Sequence, residues 1–282
     1  MKTSVFLVLF HLFCNFESDA QKKIRSFKLD DELKEISGLE SINDSLFIGH
    51  NDGGNDPLLY VMNQEGKILK SCKIYNAKNT DWEDLTKDDK GNLYIADIGN
   101  NANKRKKVRI LKVELDSVLL LDSVNASVYS FNYPDQTEFP PSNSELHYDA
   151  ESISFFKDSL WIFTKCRSIP FDGRSKVYAI HPSDLSYGNW EDKGEIIPGT
   201  KSWKYDSFTA STVYRDTFYT ITYNKLILWK RTKNSFQLVK KRRFLKYNQR
   251  ESLAITPSGS IFIANEGHWL LGKQRLTKYK NE

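Results

Sequence analysis

The sequence contains five copies of a short unit in which two apolar β-strand segments flank a polar turn. The second segment of each copy is rich in β-branched and aromatic residues, which favour strands. These segments begin at Leu46, Leu93, Leu160, Phe218 and Ile261. Turn residues such as Asn43-Asp44 and Lys157-Asp158 join each one to a preceding strand. The repeat predicts an all-β protein built from similar antiparallel units.

Most copies continue into a third strand and a fourth. The segments VRILKVEL, KVYAIHPSDL and LILWKRTKNSFQLVKKRRF follow the second, third and fourth copies. A four-stranded antiparallel sheet that repeats at roughly 40–70 residues is typical of a β-propeller blade. We therefore predict a β-propeller with five blades, or with six if residues 118–141 contain a degenerate blade.

The fifth copy ends near Lys280 with one strand missing. The N-terminal segment KKIRSFKLD is predicted to supply that strand, which closes the ring and removes an exposed sheet edge. No segment keeps a helical period for three turns. The nearest candidate, residues 113–124, is predicted to form strands with a turn.

The first twenty residues have the pattern of a secretory signal peptide. Lys2 precedes an apolar run, SVFLVLFHLF, that is too short to span a bilayer. Ser18 and Ala20 are small residues at the positions that a signal peptidase reads. We predict a signal peptide over residues 1–20, cleavage near Ala20, and a single propeller domain over residues 21–282 that is secreted or periplasmic. No later segment is apolar enough for a transmembrane helix, and we expect a monomer.

Charge and cysteine content exclude several functions. The formal net charge is +5, and only the run Lys240–Arg243 clusters basic residues, in a pattern that predicts an exposed outer strand. Nucleic-acid binding is not expected. Cys72 and Cys166 fall in non-adjacent units and are predicted to be free, buried thiols, and no zinc-binding Cys/His spacing is present.

The repeat predicts where polar residues converge. In each copy the first strand begins and the second strand ends on the same side of the sheet, and the innermost strands of a propeller line its channel. Both sets should therefore surround the channel mouth. The strand starts contribute Trp82, Glu83, Asp84, Asp149, Glu151, Asp206 and Glu251, and the strand ends contribute His50, Asn51, Asp52, Asp97, Asn100, Asn101, Lys165, Tyr223, Asn265, Glu266 and His268.

The segments DWEDL…LYIADIGNN, YDAESIS…LWIFTK, TYNKLILW and ESLAI…IFIANE resemble a group of secreted bacterial β-propellers. That group is distantly related to phytase-like propellers and to the family named for the esterase-like activity of phytase. The resemblance spans nearly all of residues 21–282 and implies the fold and secretion. A phytase-like enzyme would need a metal cluster and cationic contacts to phosphate, for which Lys165 and Arg105 are candidates, but no strict phytase signature is present.

The acidic ring has three interpretations. Its carboxylates can be structural, accepting backbone N–H groups between blades. They can bind a hard cation, Ca²⁺ or Mg²⁺, which would also explain why like charges gather. The predicted metal ligands are Asp52, Asp97, Glu251 and Glu266.

The third interpretation is catalysis. Glu83 and Glu151 are the predicted acid–base pair, assisted by His50 or by His268. A serine hydrolase is disfavoured because no G-x-S-x-G segment exists. The predicted substrate-binding residues are Lys165, Asn101, Tyr223 and His268. Two functions remain open: a metal-supported hydrolase of a small phosphorylated or glycosidic substrate, and a non-catalytic module that binds a glycan, a peptide or a partner protein.

Overall fold

A computed structural model describes residues 20–281, so the predicted signal peptide lies almost entirely outside the described residues. The described chain forms five β-sheets arranged as a β-propeller, and their strands pair antiparallel with one exception described below. The predicted fold class and blade number are therefore confirmed. None of the helices in residues 20–281 has the length and apolar character needed to cross a membrane.

The strands follow one another blade by blade along the chain. Strand β1 (Lys23–Lys28) comes first, and blade 1 comprises β2 (Ile36–Ser41), β3 (Leu46–Asn51), β4 (Leu58–Asn63) and β5 (Ile68–Ile74). Blade 2 begins with β6 (Trp82–Lys87), β7 (Asn92–Asp97) and β8 (Val108–Glu114). Helix α1 (Leu115–Leu120) and strand β9 (Ser123–Val124) follow, and β10 (Ser127–Phe131) completes blade 2.

Blade 3 comprises β11 (Asp149–Phe156), β12 (Ser159–Lys165), β13 (Ser175–Ile180) and β14 (Glu191–Ile196). Helix α2 (Trp203–Asp206) precedes blade 4, which comprises β15 (Ala210–Tyr214), β16 (Thr217–Thr222), β17 (Lys225–Arg231) and β18 (Phe236–Arg243). Blade 5 contains β19 (Arg250–Ile255), β20 (Ile261–Asn265) and β21 (Arg275–Tyr279). Short 3-10 helices span Asp31–Leu33, Asn143–Glu145 and Pro182–Asp184.

The N-terminal strand completes blade 5. Strand β1 pairs antiparallel with β21, from Lys23 opposite Tyr279 to Lys28 opposite Arg275. The sheet order of this blade is β1, β21, β20, β19, so the first strand of the chain is its outermost strand. The predicted ring closure is confirmed, and it covers an edge that would otherwise expose unpaired backbone groups.

The hydrophobic core lies between the blades. Each of five buried clusters combines residues from two neighbouring blades, and together they run around the ring. Trp82 in β6, for example, is fully buried against Ile48 of blade 1 in one of these clusters. Because every blade contributes to two clusters, removal of one blade would expose apolar surface on both of its neighbours.

Hydrogen bonds also join the innermost strands β2, β6, β11, β15 and β19, which contact one another in that order around the ring. Each junction has at least one bond that involves a side chain: Ser37 Oγ to Glu83 O (2.6 Å), Ile153 N to Asp84 Oδ2 (3.1 Å), Ser154 Oγ with Ser211 Oγ (2.7 Å), Thr209 Oγ1 to Arg250 O (2.6 Å), and Ser252 Oγ to Ile36 O (3.5 Å). Several polar residues at strand starts are therefore structural, as the first interpretation of the ring predicts.

Residues 118–141, which the sequence offered for a sixth blade, have another structure. Residues 115–120 form α1, with Leu115 and Val118 buried on one side, so the prediction of strands there is wrong. Strand β9 instead pairs parallel with β5 of blade 1, and β10 is the outer strand of blade 2. The helix forms because apolar residues three positions apart find one buried face.

Two smaller predictions are confirmed. Cys72 in β5 and Cys166 after β12 are buried free thiols. The basic run Lys240–Arg243 lies in β18, the outermost strand of blade 4, and is partly exposed. This run therefore protects a sheet edge.

A chain that starts at Leu29 tests the ring closure. Loss of β1 removes several ladder hydrogen bonds at about 1 kcal/mol each. At roughly 2–4 °C per kcal/mol for a domain near this size, we expect the unfolding temperature to fall by about 10 °C or more. A peptide that carries KKIRSFKLD should restore part of the loss in a calorimetric scan, and a scrambled peptide should not. An unchanged unfolding temperature would contradict the structural role of β1.

Candidate functional site at the channel mouth

Three blades place a glutamate at the same bulge near the start of the innermost strand. In β6, Trp82 pairs with Asp97 and Asp84 pairs with Ala96, which leaves Glu83 without a cross-strand partner. The register shifts in the same way around Glu151 in β11 and around Glu251 in β19. Bulges change the direction of a side chain and are frequent near active sites. Equivalent bulges therefore bring three glutamates to one level of the ring.

Five carboxylates lie together at this level. Asp52 follows β3, Asp81 precedes β6, and Asp149 belongs to β11. Carboxylate oxygens of Asp52, Asp81 and Glu83 lie within 4.8 Å of one another, and so do those of Glu83, Asp149 and Glu151. Glu83 belongs to both groups, so it is the centre of an acidic site built by blades 1, 2 and 3.

One half of this site is neutralised by cations, and we call it the paired acid group: Asp149 and Glu151 with Lys165 and Arg167. Lys165 Nζ lies 2.9 Å from Glu151 Oε2, and both side chains are buried. Arg167 Nε lies 2.6 Å from Asp149 Oδ2, and its Nη2 lies 3.4 Å from Glu151 Oε1. Removal of one member of such a buried ion pair would leave its partner's charge uncompensated and would destabilise the fold.

The other half, which we call the open acid group, comprises Asp52, Asp81 and Glu83. Within residues 20–281, no group donates a hydrogen bond to the carboxylate of Glu83 or of Asp81, and Asp52 Oδ1 accepts only Gly53 N, at 2.6 Å. Glu83 is only 5% exposed, whereas Asp52 and Asp81 are half-buried. Burial of a carboxylate without a hydrogen-bond donor or a cation costs free energy of folding. The paired acid group avoids this cost through its cations, and the open acid group does not.

Two glycines make the close approach of these carboxylates possible. A Cβ atom at Gly99 would lie 2.1 Å from Glu83 Oε1 and 2.5 Å from Asp81 Oδ2. A Cβ atom at Gly53 would lie 2.5 Å from Asp81 Oδ1. Side chains at these two positions would therefore displace the carboxylates, which explains why Gly53 of the NDGG segment and Gly99 of the DIGNN segment carry no side chain.

The pKa values of the open acid group are raised. Burial, and then the nearby Glu151, hold the pKa of Glu83 well above its usual range. Burial raises the pKa of Asp52 to about 6, with a further contribution from Asp81. Burial also raises the pKa of Asp81 to about 6, followed by the effect of Asp149. A bound cation would lower these pKa values, because it favours the ionised carboxylates.

Blades 4 and 5 complete the mouth. The Tyr223 hydroxyl donates to Glu251 Oε1 at 2.8 Å, and Lys165 Nζ lies 5.4 Å from the Tyr223 ring centre. Gln249 Nε2 donates to Glu266. Burial raises the pKa of Glu266 to about 9, with further contributions from Glu251 and Asp52. Residues from all five blades therefore interact at one mouth.

Of the predicted metal ligands, Asp97 has a different environment. Its carboxylate is fully buried and forms ion pairs with Arg105, at 2.9 Å, and with Arg109. Two cations already neutralise it, so we leave it outside the candidate metal site. Arg105 is thereby engaged in the protein rather than directed to a ligand. Asp52, Glu251 and Glu266 do lie at the mouth.

The two predicted histidines lie in different surroundings. His50 is fully buried, its ring packs edge-on against Trp82 at 5.3 Å, and burial lowers its pKa to about 4. It is therefore neutral at pH 7. His268 lies in the loop after β20, where its ring stacks on Trp269, which is 86% exposed. Of the predicted substrate-binding residues, Asn101 accepts a hydrogen bond from Arg167 beside the paired acid group.

Sequence reasoning missed Asp81 and Arg167, and it gave Asp149 no role. Asp81 directly precedes a bulged strand, and Arg167 follows Lys165 by two residues. The only signal in the sequence was that both residues are close neighbours of predicted site residues. Only the structure shows that the carboxylates of Asp81 and Glu83 lie within 4.8 Å of each other.

Comparison with known proteins supports the fold. No protein-family model matches the sequence, and a search of curated proteins finds no match. The chain is similar in structure to glutaminyl cyclase from Myxococcus xanthus, with 11% identity, coverage of 93% of this chain and 98% of that chain, and a TM-score of 0.57. It is also similar to the PQQ-bound aldose sugar dehydrogenase from Streptomyces coelicolor, with 8% identity, coverage of 92% and 98%, and a TM-score of 0.50.

A glucose dehydrogenase gives a comparable match, with 11% identity, coverage of 92% of this chain and 100% of that chain, and a TM-score of 0.50. At these identities the similarity shows a shared β-propeller fold. The propeller part of the predicted resemblance is confirmed, and the link to secreted bacterial propellers and to phytase-like propellers stays a prediction. The fold is one that enzymes use, but fold alone does not assign an activity.

Two substitutions in blade 2 should have opposite effects on stability. Asp97→Asn leaves the half-buried guanidinium groups of Arg105 and Arg109 without their buried carboxylate, which costs about 3 kcal/mol, the lower end of the range for a buried ion pair. We expect the unfolding temperature to fall by about 6 °C or more, at roughly 2–4 °C per kcal/mol. Glu83→Gln removes a buried carboxyl group that resists ionisation, so it should raise the unfolding temperature of the chelated protein at pH 8 by a few degrees. Equal effects of both variants in differential scanning fluorimetry would contradict the distinction between carboxylates that are paired with cations and carboxylates that are not.

The unfolding temperature of the chelated protein should fall as the pH rises from about 5 to 8. The pKa of Glu266 is about 9 in the folded chain against 4.5 for an ordinary glutamate. Between these values the folded state keeps a proton that the unfolded state has lost, so a rise in pH favours unfolding. Below pH 4.5 both states are protonated and the penalty disappears. Glu266→Gln should flatten the slope, and a slope equal to that of the parent would contradict the assignment.

Proposed function

We propose that Asp52, Asp81 and Glu83 bind one divalent cation, Ca²⁺ or Mg²⁺, at the channel mouth. The observation that carries this proposal is the buried Glu83 carboxylate, which accepts no hydrogen bond within residues 20–281 and lies between two further carboxylates. Hard oxygen ligands of this kind suit Ca²⁺ and Mg²⁺. The space that Gly53 and Gly99 leave for the carboxylates also fits a ligand cluster.

We further propose that the site supports hydrolysis of a small phosphorylated or glycosidic substrate. A divalent cation polarises a bound oxygen and acidifies a water molecule. Lys165 and Arg167 lie beside the open acid group, and the N–H donors that they do not use for Glu151 and Asp149 are suited to hold an anionic group of the substrate. Asn101 and Tyr223 border the same cations and would orient the substrate.

Glu151 is the proposed general acid or base. Burial raises its pKa well above the usual range, whereas Lys165 lowers it. A carboxyl group with a raised pKa can donate a proton near neutral pH, as general acids of hydrolases do. Glu83, by contrast, is assigned to the cation, because it lacks the cationic partners that Glu151 has.

A second candidate function is a non-catalytic module for a glycan, a peptide or a partner protein. One observation favours it: Trp203 at the mouth is 41% exposed, with the Arg167 guanidinium 5.7 Å from its ring centre and the Tyr223 ring at 6.4 Å. An exposed indole beside polar groups is suited to stack on a sugar ring. In this case the cation would organise the binding surface.

The proposed destination is outside the cytoplasm, either the periplasm or the medium, and the proposed state is a monomer. The signal-peptide pattern and the resemblance to secreted bacterial propellers support this destination. Ca²⁺ sites of modest affinity are typical of extracellular domains. A secreted propeller would therefore meet the cation that its mouth is proposed to bind.

Thermal unfolding after chelation, and again with Ca²⁺, Mg²⁺ or Mn²⁺ restored, tests the cation site. One ion should raise the unfolding temperature in a saturable way, because it binds only the folded state; the gain is about 2.7 kcal/mol at a hundred times the Kd. Glu83→Gln should abolish this rise. Glu40→Gln is the matched control. It makes the same change in β2, the innermost strand of blade 1, but near the strand end that lies away from the mouth, and it should preserve the rise. Absence of a rise with every ion would eliminate the cation site.

Turnover separates the two candidate functions. With the stabilising ion present, phosphoester and glycoside substrates should be hydrolysed, and Glu151→Gln should lower kcat by about a hundredfold or more, the usual contribution of a positioned acid or base. Glu151→Gln should keep the cation-dependent rise in unfolding temperature. Cation binding without any turnover would favour the binding module, and glycan binding that is lost on Trp203→Ala would then support it.

A further inference from the structure

A second cluster of potential ligands lies in blade 3, and none of the functions above uses it. It consists of His147, two residues before β11, Cys166, directly after β12, and Asp172, in the loop that leads to β13. The whole β11–β12 hairpin separates His147 from Cys166 in the sequence, so no short motif indicates the cluster. The pairing of β11 with β12 brings the two residues together.

The three side chains have the spacing of ligands around one small ion. Cys166 Sγ lies 3.2 Å from Asp172 Oδ1, and His147 Nε2 lies 3.3 Å from Asp172 Oδ2. One ligand atom from each of the three lies within 4.8 Å of the others. Zinc bonds of about 2.0–2.3 Å place tetrahedral ligand atoms roughly 3.3–3.8 Å apart. Small adjustments would therefore let the three atoms surround one zinc ion.

His147 provides a second observation, independent of the spacing, that points to a bound ion. Its side chain is fully buried, at 0% exposed. Among residues 20–281, Nδ1 has no hydrogen-bond partner, and Nε2 lies 3.3 Å from the Asp172 carboxylate without forming a hydrogen bond to it. Buried imidazole nitrogens normally have a partner, and a buried polar group without one costs about 1–3 kcal/mol. A metal bond to one ring nitrogen would satisfy it.

Cys72 shows what a purely structural cysteine looks like in this chain. It lies in β5 within an apolar cluster that includes Leu59 and Ile74, and it belongs to no group of three potential metal ligands among residues 20–281. Cys166, in contrast, has Ser168 Oγ at 3.2 Å and the Asp172 carboxylate at the same distance. The difference singles out Cys166 as the thiol in a ligand environment.

We propose that His147, Cys166 and Asp172 bind Zn²⁺. A set of imidazole nitrogen, thiolate sulfur and carboxylate oxygen suits zinc and does not suit Ca²⁺ or Mg²⁺, which prefer oxygen alone. Three protein ligands leave one position for water. Asp172 is 32% exposed at its side chain, so an ion can reach the cluster from solvent.

Arg174 supports the orientation of the carboxylate. Its Nε donates to Asp172 Oδ2 at 2.6 Å, and its backbone N donates to Oδ1 at 2.9 Å. Outer hydrogen bonds of this type hold ligating carboxylates in place in metal sites. The zinc would join the start of β11, the end of β12 and the following loop, which carries Arg167 of the paired acid group. This inference does not depend on the proposed cation site.

Cobalt substitution tests the proposal directly. The full chain, purified without a histidine tag, is stripped with a chelator and titrated with Co²⁺ and then with Zn²⁺. We expect one equivalent of Co²⁺ to produce a thiolate-to-cobalt absorption band in the near ultraviolet, and Zn²⁺ to displace it. Because the bound thiolate has lost its proton, each Co²⁺ or Zn²⁺ ion that binds the stripped chain should release about one proton at neutral pH, and exchange of Co²⁺ for Zn²⁺ should release none.

Variants assign the ligands. Cys166→Ser should abolish the band and weaken Zn²⁺ binding about tenfold or more, since even an outer partner of a zinc site is worth that much. Cys72→Ser is the matched control and should keep the band, and Glu83→Gln should keep it too. If circular dichroism shows that Cys166→Ser is unfolded, Asp172→Asn, a change at a half-buried position, replaces it as the test variant. Absence of the band in the parent chain, or its persistence in a folded Cys166→Ser or Asp172→Asn variant, would overturn the proposal.

Discussion

The pairing of β1 with β21 is the interaction on which the rest of the structure depends. It joins residues 23–28 to residues 275–279 and completes the last blade with the first strand of the chain. A propeller has no central core, and its apolar clusters lie between neighbouring blades. An open ring would therefore expose the cluster between blades 5 and 1, which includes Leu29 and Leu33. It would also release the innermost strands whose ends form the mouth.

The closed ring holds together charges that repel one another. Burial between blades fixes Glu83 and Glu151 at equivalent bulges, although both pKa values are raised by that burial. The hydrophobic clusters and the hydrogen bonds between innermost strands supply the stability that offsets this repulsion. Functional sites are commonly less stable than their surroundings for the same reason. Stability and site chemistry in this propeller thus oppose each other at the mouth.

The distribution of cations divides the mouth into two chemically different halves. Lys165 and Arg167 neutralise one pair of carboxylates, whereas Asp52, Asp81 and Glu83 lack such partners within residues 20–281. The proposed cation would supply the missing charge, and the proposed substrate would lie across the boundary between the halves. The His147, Cys166 and Asp172 cluster, with its thiol, has a different metal preference, so the two proposed sites can be studied with different ions.

The sequence by itself determined the repeat, the five blades, the closing strand and the face on which polar residues gather. Strand periodicity and turn residues are local signals, and here the same signals occur in each of five copies. These predictions therefore needed no tertiary information. The free thiols of Cys72 and Cys166 followed from their separate units. The helix Leu115–Leu120 was missed because its one buried face is too short to show a period.

Only the tertiary structure decided which polar residues act together. Asp97 and Glu83 both belong to blade 2 and both looked like ring carboxylates, yet two arginines neutralise Asp97, whereas no arginine of residues 20–281 forms an ion pair with Glu83. His147 and Cys166 meet only because β11 pairs with β12. Such partnerships depend on register, bulges and the approach of neighbouring blades, and a one-residue change in register would alter them without changing composition or pattern.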